Sequence, residues 1–164
     1  MDVRLRDVPE QHVVSEERSV DQAELVEWLP GAMARVARAA SEAGGLPGTL
    51  SWPHLQRSEH PDEPVFIVIY EGNPNDGPTS VEVSAPVRAA GPASRTIPAH
   101  REAYVRVTKG QVTSGQLGGV YEGIGKWISA EGLQITRAPR ETYWTDFFNA
   151  ADSDEVFDVA FPVS

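Results

Sequence analysis

The segment Pro139-Arg140-Glu141-Thr142-Tyr143-Trp144-Thr145-Asp146 carries the chain's most suggestive chemistry. Side chains alternate between the two faces of a strand. Glu141 and Tyr143 would therefore project from one face, and Thr142 and Trp144 from the other. A carboxylate entering an apolar region must be paired, neutralised or matched by a cationic ligand. A cation stacked on neighbouring Tyr or Trp rings would gain about 0.5–2 kcal/mol beyond the charge pairing. Spacing alone leaves a second reading open, since most strand carboxylates are exposed. In that reading Glu141 faces water or pairs with Arg140, Arg137 or Arg106.

Other chemistries fail on their motifs. The chain has no G-x-S-x-G elbow and no H-E-x-x-H. Gly125-Lys126 ends a stretch that lacks a phosphate loop's first glycine and its terminal Ser or Thr. The histidines His12, His54, His60 and His100 are scattered, and no paired carboxylate completes a metal site. Asp152, Asp154 and Glu155 lack the spacing and central glycine of a calcium loop, and read as a solvated turn. With no cysteine, a disulfide framework, a Cys-based zinc site, an iron–sulfur cluster and a Cys nucleophile all drop out. Neither a metal nor a cofactor is expected.

The chain has 164 residues, 14 Lys+Arg against 24 Asp+Glu, and a formal net charge of −10. Such an acidic chain is repelled by phosphate backbones and anionic lipid, so neither DNA nor membrane is expected as a direct partner. Hydrophobic residues make up 40%, enough for a packed core. No apolar run approaches the ~20 residues needed to span a bilayer. Met1 to Arg6 carries charge where a signal peptide needs an apolar stretch, so a cytoplasmic location is expected.

The elements that must position Glu141 are organised by a duplication within one domain, residues 1–164. Repeat one covers about 1–90 and repeat two about 95–164. Val8-Pro9 and Ile97-Pro98 each lead into a strand-like stretch, Gln11 to Glu17 and His100 to Thr108. Each half then has a helical pattern ending at Gly45-Leu46 or Gly132-Leu133. A β-rich stretch follows, Val65 to Glu71 or Arg140 to Thr145. Finally, Val81-Glu82-Val83-Ser84-Ala85-Pro86-Val87 lines up with Phe157-Asp158-Val159-Ala160-Phe161-Pro162-Val163. Each half reads β-α-β-β, an α+β chain. Aligning Tyr70 with Tyr143 sets Glu141 opposite Val68, where the first repeat is apolar.

Leu117, Val120, Tyr121, Ile124, Trp127 and Ile128 recur at helical spacing, and Gly132 supplies the stop. Tyr121 and Trp127 on this stripe read as core. In the first half Leu29, Met33, Val36, Ala37 and Ala40 form the stripe. Pro30 is placed in the first turn and Asp21 to Trp28 in a separate turn before it. The long loop from Pro47 to Pro64 holds Trp52, Pro53 and His54, a candidate lid or an ordinary surface excursion.

Several of these features together resemble the GyrI-like small-molecule-binding domain: Val8-Pro9, Ile97-Pro98-Ala99, Ala103, Gly110, the second helix, Gly132-Leu133, Arg140-Glu141-Thr142-Tyr143 and Phe161-Pro162-Val163. That family includes the effector-binding domains of multidrug-responsive MerR-type and AraC-type transcription regulators. The resemblance implies two βαββ repeats forming a curved antiparallel sheet, with helices outside and a ligand cleft between the halves. It also implies that Glu141 contacts ligand at the cleft floor beside Tyr143, with Val68 and Tyr70 on the opposite wall. With no helix-turn-helix ahead of Met1, a stand-alone form is expected.

Tyr104 alternates against Ala103 and Val105 and faces the cleft if they face the helix; Phe157 and Trp144 either wall the cleft or pack outward. Trp28 could close one mouth. The expected activity is binding of lipophilic, often cationic, aromatic compounds. Two other functions stay open from the resemblance. One is hydrolysis of strained cyclopropane-type DNA-alkylating compounds, with Glu141 assisting water. The other is inhibition of gyrase as a protein partner.

Overall fold

The computed structural model describes residues 1–45 and 64–164. The expected loop with Trp52, Pro53 and His54 lies outside the described residues, as does His60.

The element order is β1 (Arg4–Val8), β2 (Gln11–Val20), α1 (Gln22–Glu42), β3 (Phe66–Tyr70), β4 (Thr79–Val87), β5 (Arg95–Ile97), β6 (His100–Thr108), α2 (Lys109–Thr113), α3 (Leu117–Ala130), β7 (Arg140–Tyr143) and β8 (Glu155–Val163). The succession β2-α1-β3-β4 is repeated as β6-α3-β7-β8. All eight strands join one curled antiparallel sheet in the order β1-β6-β8-β7-β3-β4-β2-β5. The two halves meet at β3 and β7, where Val68 pairs with Glu141 and Phe66 with Tyr143. The repeat-equivalent positions Val68 and Glu141 thus face each other across the seam. β1 and β5, flanking strands at the two sheet edges, were not foreseen; β1 reads as a charged terminus because Arg4, Arg6 and Asp7 interrupt its apolar residues.

The local chemistry explains the helices. α1 buries Leu25, Trp28, Leu29, Ala32, Met33, Val36 and Ala40, a stripe at three- and four-residue steps that packs on β2 and β4. The helix starts earlier than expected. Asp21 and Glu24 form a reciprocal cap, with Glu24 N–H donating to Asp21 at 2.9 Å and Asp21 N–H to Glu24 at 3.2 Å. There is no separate turn before Pro30, which instead lies inside the helix. An interior proline costs about 3 kcal/mol. It is tolerated because Pro30 is on the exposed side, where water can serve the freed carbonyl.

α3 buries Val120, Ile124 and Ile128 and packs on β6 and β8. Gly132 ends this segment as expected, with φ 71°, while Leu133 N–H reaches back to Ile128 O at 3.0 Å.

Candidate functional site

The ladder sorts the sheet into two faces, because paired residues share a face. Val68, Glu141, Val159 and Val105 are paired in sequence across β3, β7, β8 and β6. Tyr143 pairs with Phe157, which pairs with Val107 on the same side. The helices cover this face. Ile67, Thr142, Arg140, Ala160, Asp158 and Tyr104 belong to the other.

At the seam, Glu141 is 3% exposed. Its carboxylate accepts three phenolic hydrogen bonds. Tyr70 from β3 and Tyr143 from β7 donate to Oε1, and Tyr121 from α3 donates to Oε2, each at 2.8 Å. Among the described residues no Lys, Arg or His forms an ion pair with it. Arg106 bonds Asp158 and Arg140 bonds the Ala138 carbonyl, both on the opposite face. The water-facing and arginine-paired readings of Glu141 are therefore both corrected: Glu141 is in register with Val159 and Val105, each one residue away from Asp158 and Arg106, so its carboxylate projects to the helix side.

Burial pushes the Glu141 carboxyl above its ordinary range, and the three hydroxyls oppose that rise without cancelling it. Burial and the nearby carboxylate hold Tyr70, Tyr121 and Tyr143 well above the usual phenol range, so all three remain donors.

Aromatic packing fixes the phenols. The Tyr143 ring lies 4.5 Å from Phe157, and Phe147 meets both rings at 5.9 and 6.0 Å. Tyr121 packs edge-on against Phe161 at 5.8 Å. The structure thus brings together Glu141, Tyr143, Tyr70, Val68 and Phe157.

Tyr104 is elsewhere. Ala103 and Val105 take the helix side together with Glu141, so strand alternation sends Tyr104 to the opposite face. There it lies under the Arg6 guanidinium at 3.9 Å. It lines a groove of about 950 Å3 together with Arg4, Arg106, Gln116 and Gly119. Glu141 is not among the residues lining that groove. Trp144 is fully buried, with the Arg106 guanidinium over its ring at 4.6 Å.

Sequence reading missed Tyr121 and Phe147. Tyr121 was assigned to core packing, and its ring does pack there, yet its hydroxyl serves the carboxylate. The available signal was a polar-tipped ring on an apolar stripe, which needs a buried partner. Trp28 likewise has a local partner, donating to Glu16 at 2.8 Å. Among the described residues no group of three metal-ligating side chains occurs. No described helix is long and apolar enough to cross a membrane.

No family model and no curated protein matches the chain. Solved structures do. The C-terminal domain of EcmrR superposes with a TM-score of 0.72 at 22% identity, over 99% of this chain and 97% of that one. In the EcmrR–DNA complex this chain spans 57% of the longer polypeptide. SAV2435 bound to tetraphenylphosphonium gives 0.55 at 10% identity, covering 100% and 94%. A hydrolase from Listeria innocua gives 0.59 at 9% identity, covering 99% and 91%. The chain therefore has the fold of these proteins, which is the curved two-repeat fold that the GyrI-like resemblance implies.

Proposed function

We propose that this protein is a GyrI-like small-molecule-binding domain for lipophilic cations, with Glu141 as the charged floor of its site. The observation that carries the reading is a buried carboxylate served by three tyrosine hydroxyls and by no described cation. Tyr70, Tyr121, Tyr143, Val68 and Phe157 supply aromatic and apolar surface around it. Tyr104 is left out, since it lies on the other face. A cation offers the one thing this cluster lacks. Its charge would be matched by Glu141, and its apolar body would lie against rings that also attract cations. The fold shared with SAV2435, a protein solved with tetraphenylphosphonium, supports the same class of ligand.

A linkage follows. Binding a cation favours the ionised form of Glu141, whose carboxyl is otherwise held above its ordinary range. Affinity for cations should rise with pH through that raised value and then level off. Titration of a cationic dye against intrinsic Trp/Tyr fluorescence across pH checks this. A pH-independent affinity would count against Glu141 as the ligand's partner.

One observation favours a second reading. The raised carboxyl of Glu141 suits a general acid or base, and one protein of this fold is named a hydrolase. Glu141 would take a proton from the attacking water and return one to the carbon released by ring opening. Incubation with a strained electrophile, followed by mass spectrometry, separates the readings. Product that forms with the natural chain and not with Glu141→Gln supports hydrolysis; ligand recovered unchanged supports binding alone.

A further inference from the structure

Strand β2 is paired along most of its length on one side only. β4 runs beside residues 12–20, whereas on the other side β5 covers Gln11, His12 and Val13. Among the described residues no strand lies beside residues 14–20 on that side, which leaves an open edge of about 20 Å. Such a row of unpaired N–H and C=O groups is a template for another strand.

The edge reads Val14-Ser15-Glu16-Glu17-Arg18-Ser19-Val20. Set antiparallel to its own copy with Glu17 opposite Glu17, it aligns Val14 with Val20, Ser15 with Ser19 and Glu16 with Arg18 of the second copy. The two Glu–Arg pairs favour this register, and the single central pair of glutamates opposes it.

Helix α1 repeats the pattern above the same edge. Glu24, Glu27, Gly31, Arg35 and Arg38 follow one another at steps of three, four, four and three residues, so they form one stripe. Arg35 bonds Glu16 at 2.6 Å, which puts the stripe on the β2 side of the helix. Trp28 bonds the same carboxylate at 2.8 Å. Gly31 lies between these two contacts along the helix, so the middle of the stripe is level with Glu16, one residue from Glu17. The four charged members are exposed.

A two-fold axis through Glu17, normal to the sheet, would lay two such helices antiparallel. Glu24 then meets Arg38 of the second copy, Glu27 meets Arg35, and Gly31 meets Gly31, where the missing Cβ lets the backbones approach. The stripe spans about 21 Å, the length of the strand edge. Strand and helix are thus self-complementary about one axis, as an isologous interface requires.

We propose that this edge is a dimer interface whose partner is a second copy of this chain, with β2 pairing with β2 and α1 with α1 across a two-fold axis at Glu17. The surface is separate from the Glu141 site and does not depend on that site's ligand. Its mixed charges match its own antiparallel copy and discriminate against strands of other sequence.

Sedimentation equilibrium over a concentration series tests the proposal. The interface is small, so a dissociation constant of about 10–300 μM is expected for the natural chain. Arg38→Glu and Glu24→Arg should each weaken self-association about 5–30-fold, because each sets like charges against one another twice. An equimolar mixture of these two variants should regain the dimer, since both of its helix pairs are again opposite in charge. Glu17→Gln, which removes the central repulsion, should tighten the dimer about 2–5-fold. A natural chain that stays monomeric at about 1 mM overturns the proposal. So does a dimer that both charge variants leave at full strength, or a mixture no more associated than its components.

Discussion

Glu141 is held in a balance that single substitutions can read. Three phenols favour its charged form, burial disfavours it, and burial prevails. Removing one hydroxyl, as in Tyr121→Phe, leaves a carboxylate lone pair unserved and should cost about 1–3 kcal/mol in urea denaturation at neutral pH. The Glu141 carboxyl should rise further as a result. The raised value also fixes a pH dependence. Glu141 binds its proton more readily in the folded chain, so its contribution is fully present below the ordinary glutamate range and is lost as pH rises through the raised value. Glu141→Gln, permanently neutral, should therefore be more stable than the natural chain at neutral pH. The gap should close in acid, below about pH 4. A gap of constant size would contradict this. Glu141 itself was legible from strand alternation, repeat asymmetry and a short motif. Its third partner was not, because a tyrosine that packs by its ring and bonds by its hydroxyl carries a single pattern in the sequence.

The elements follow the sequence where a local signal has one meaning. Gly132 is such a case: φ 71° is a conformation that other residues enter at a cost. Gly132→Ala should destabilise by about 1–2 kcal/mol in chemical denaturation. Pro30 is the contrary case. A proline fits a first helical turn, which is why the start of α1 was misplaced, yet the cap at Asp21 and the burial of Leu25 and Trp28 carry the helix through it. Pro30→Ala should then stabilise the chain, by up to about 3 kcal/mol, with no change at the Glu141 site. Tyr104 is parted from Glu141 for another reason. Alternation fixes which residues of one strand share a face but not which residues of different strands do. Only the pairing of Val105 with Val159, and of Val159 with Glu141, decides it.

At the scale of the molecule, the duplication explains why one carboxylate sits at the seam. Repeat-equivalent positions meet there, so a glutamate in both halves would set two buried acids against each other. Val68 in the first half avoids that repulsion, and the site is asymmetric within a near-symmetric sheet. The net charge of −10 acts at longer range. It should draw cations toward the protein, so their association rate should fall as salt rises from about 0.01 to 1 M, while that of neutral aromatic compounds stays flat. Selection among cations is a local matter, and calorimetric titration with tetraphenylphosphonium tests it most directly. The natural chain should bind it, and Glu141→Gln should bind at least about 30-fold more weakly. Equal affinity in the two chains would contradict Glu141 as the partner of a bound cation.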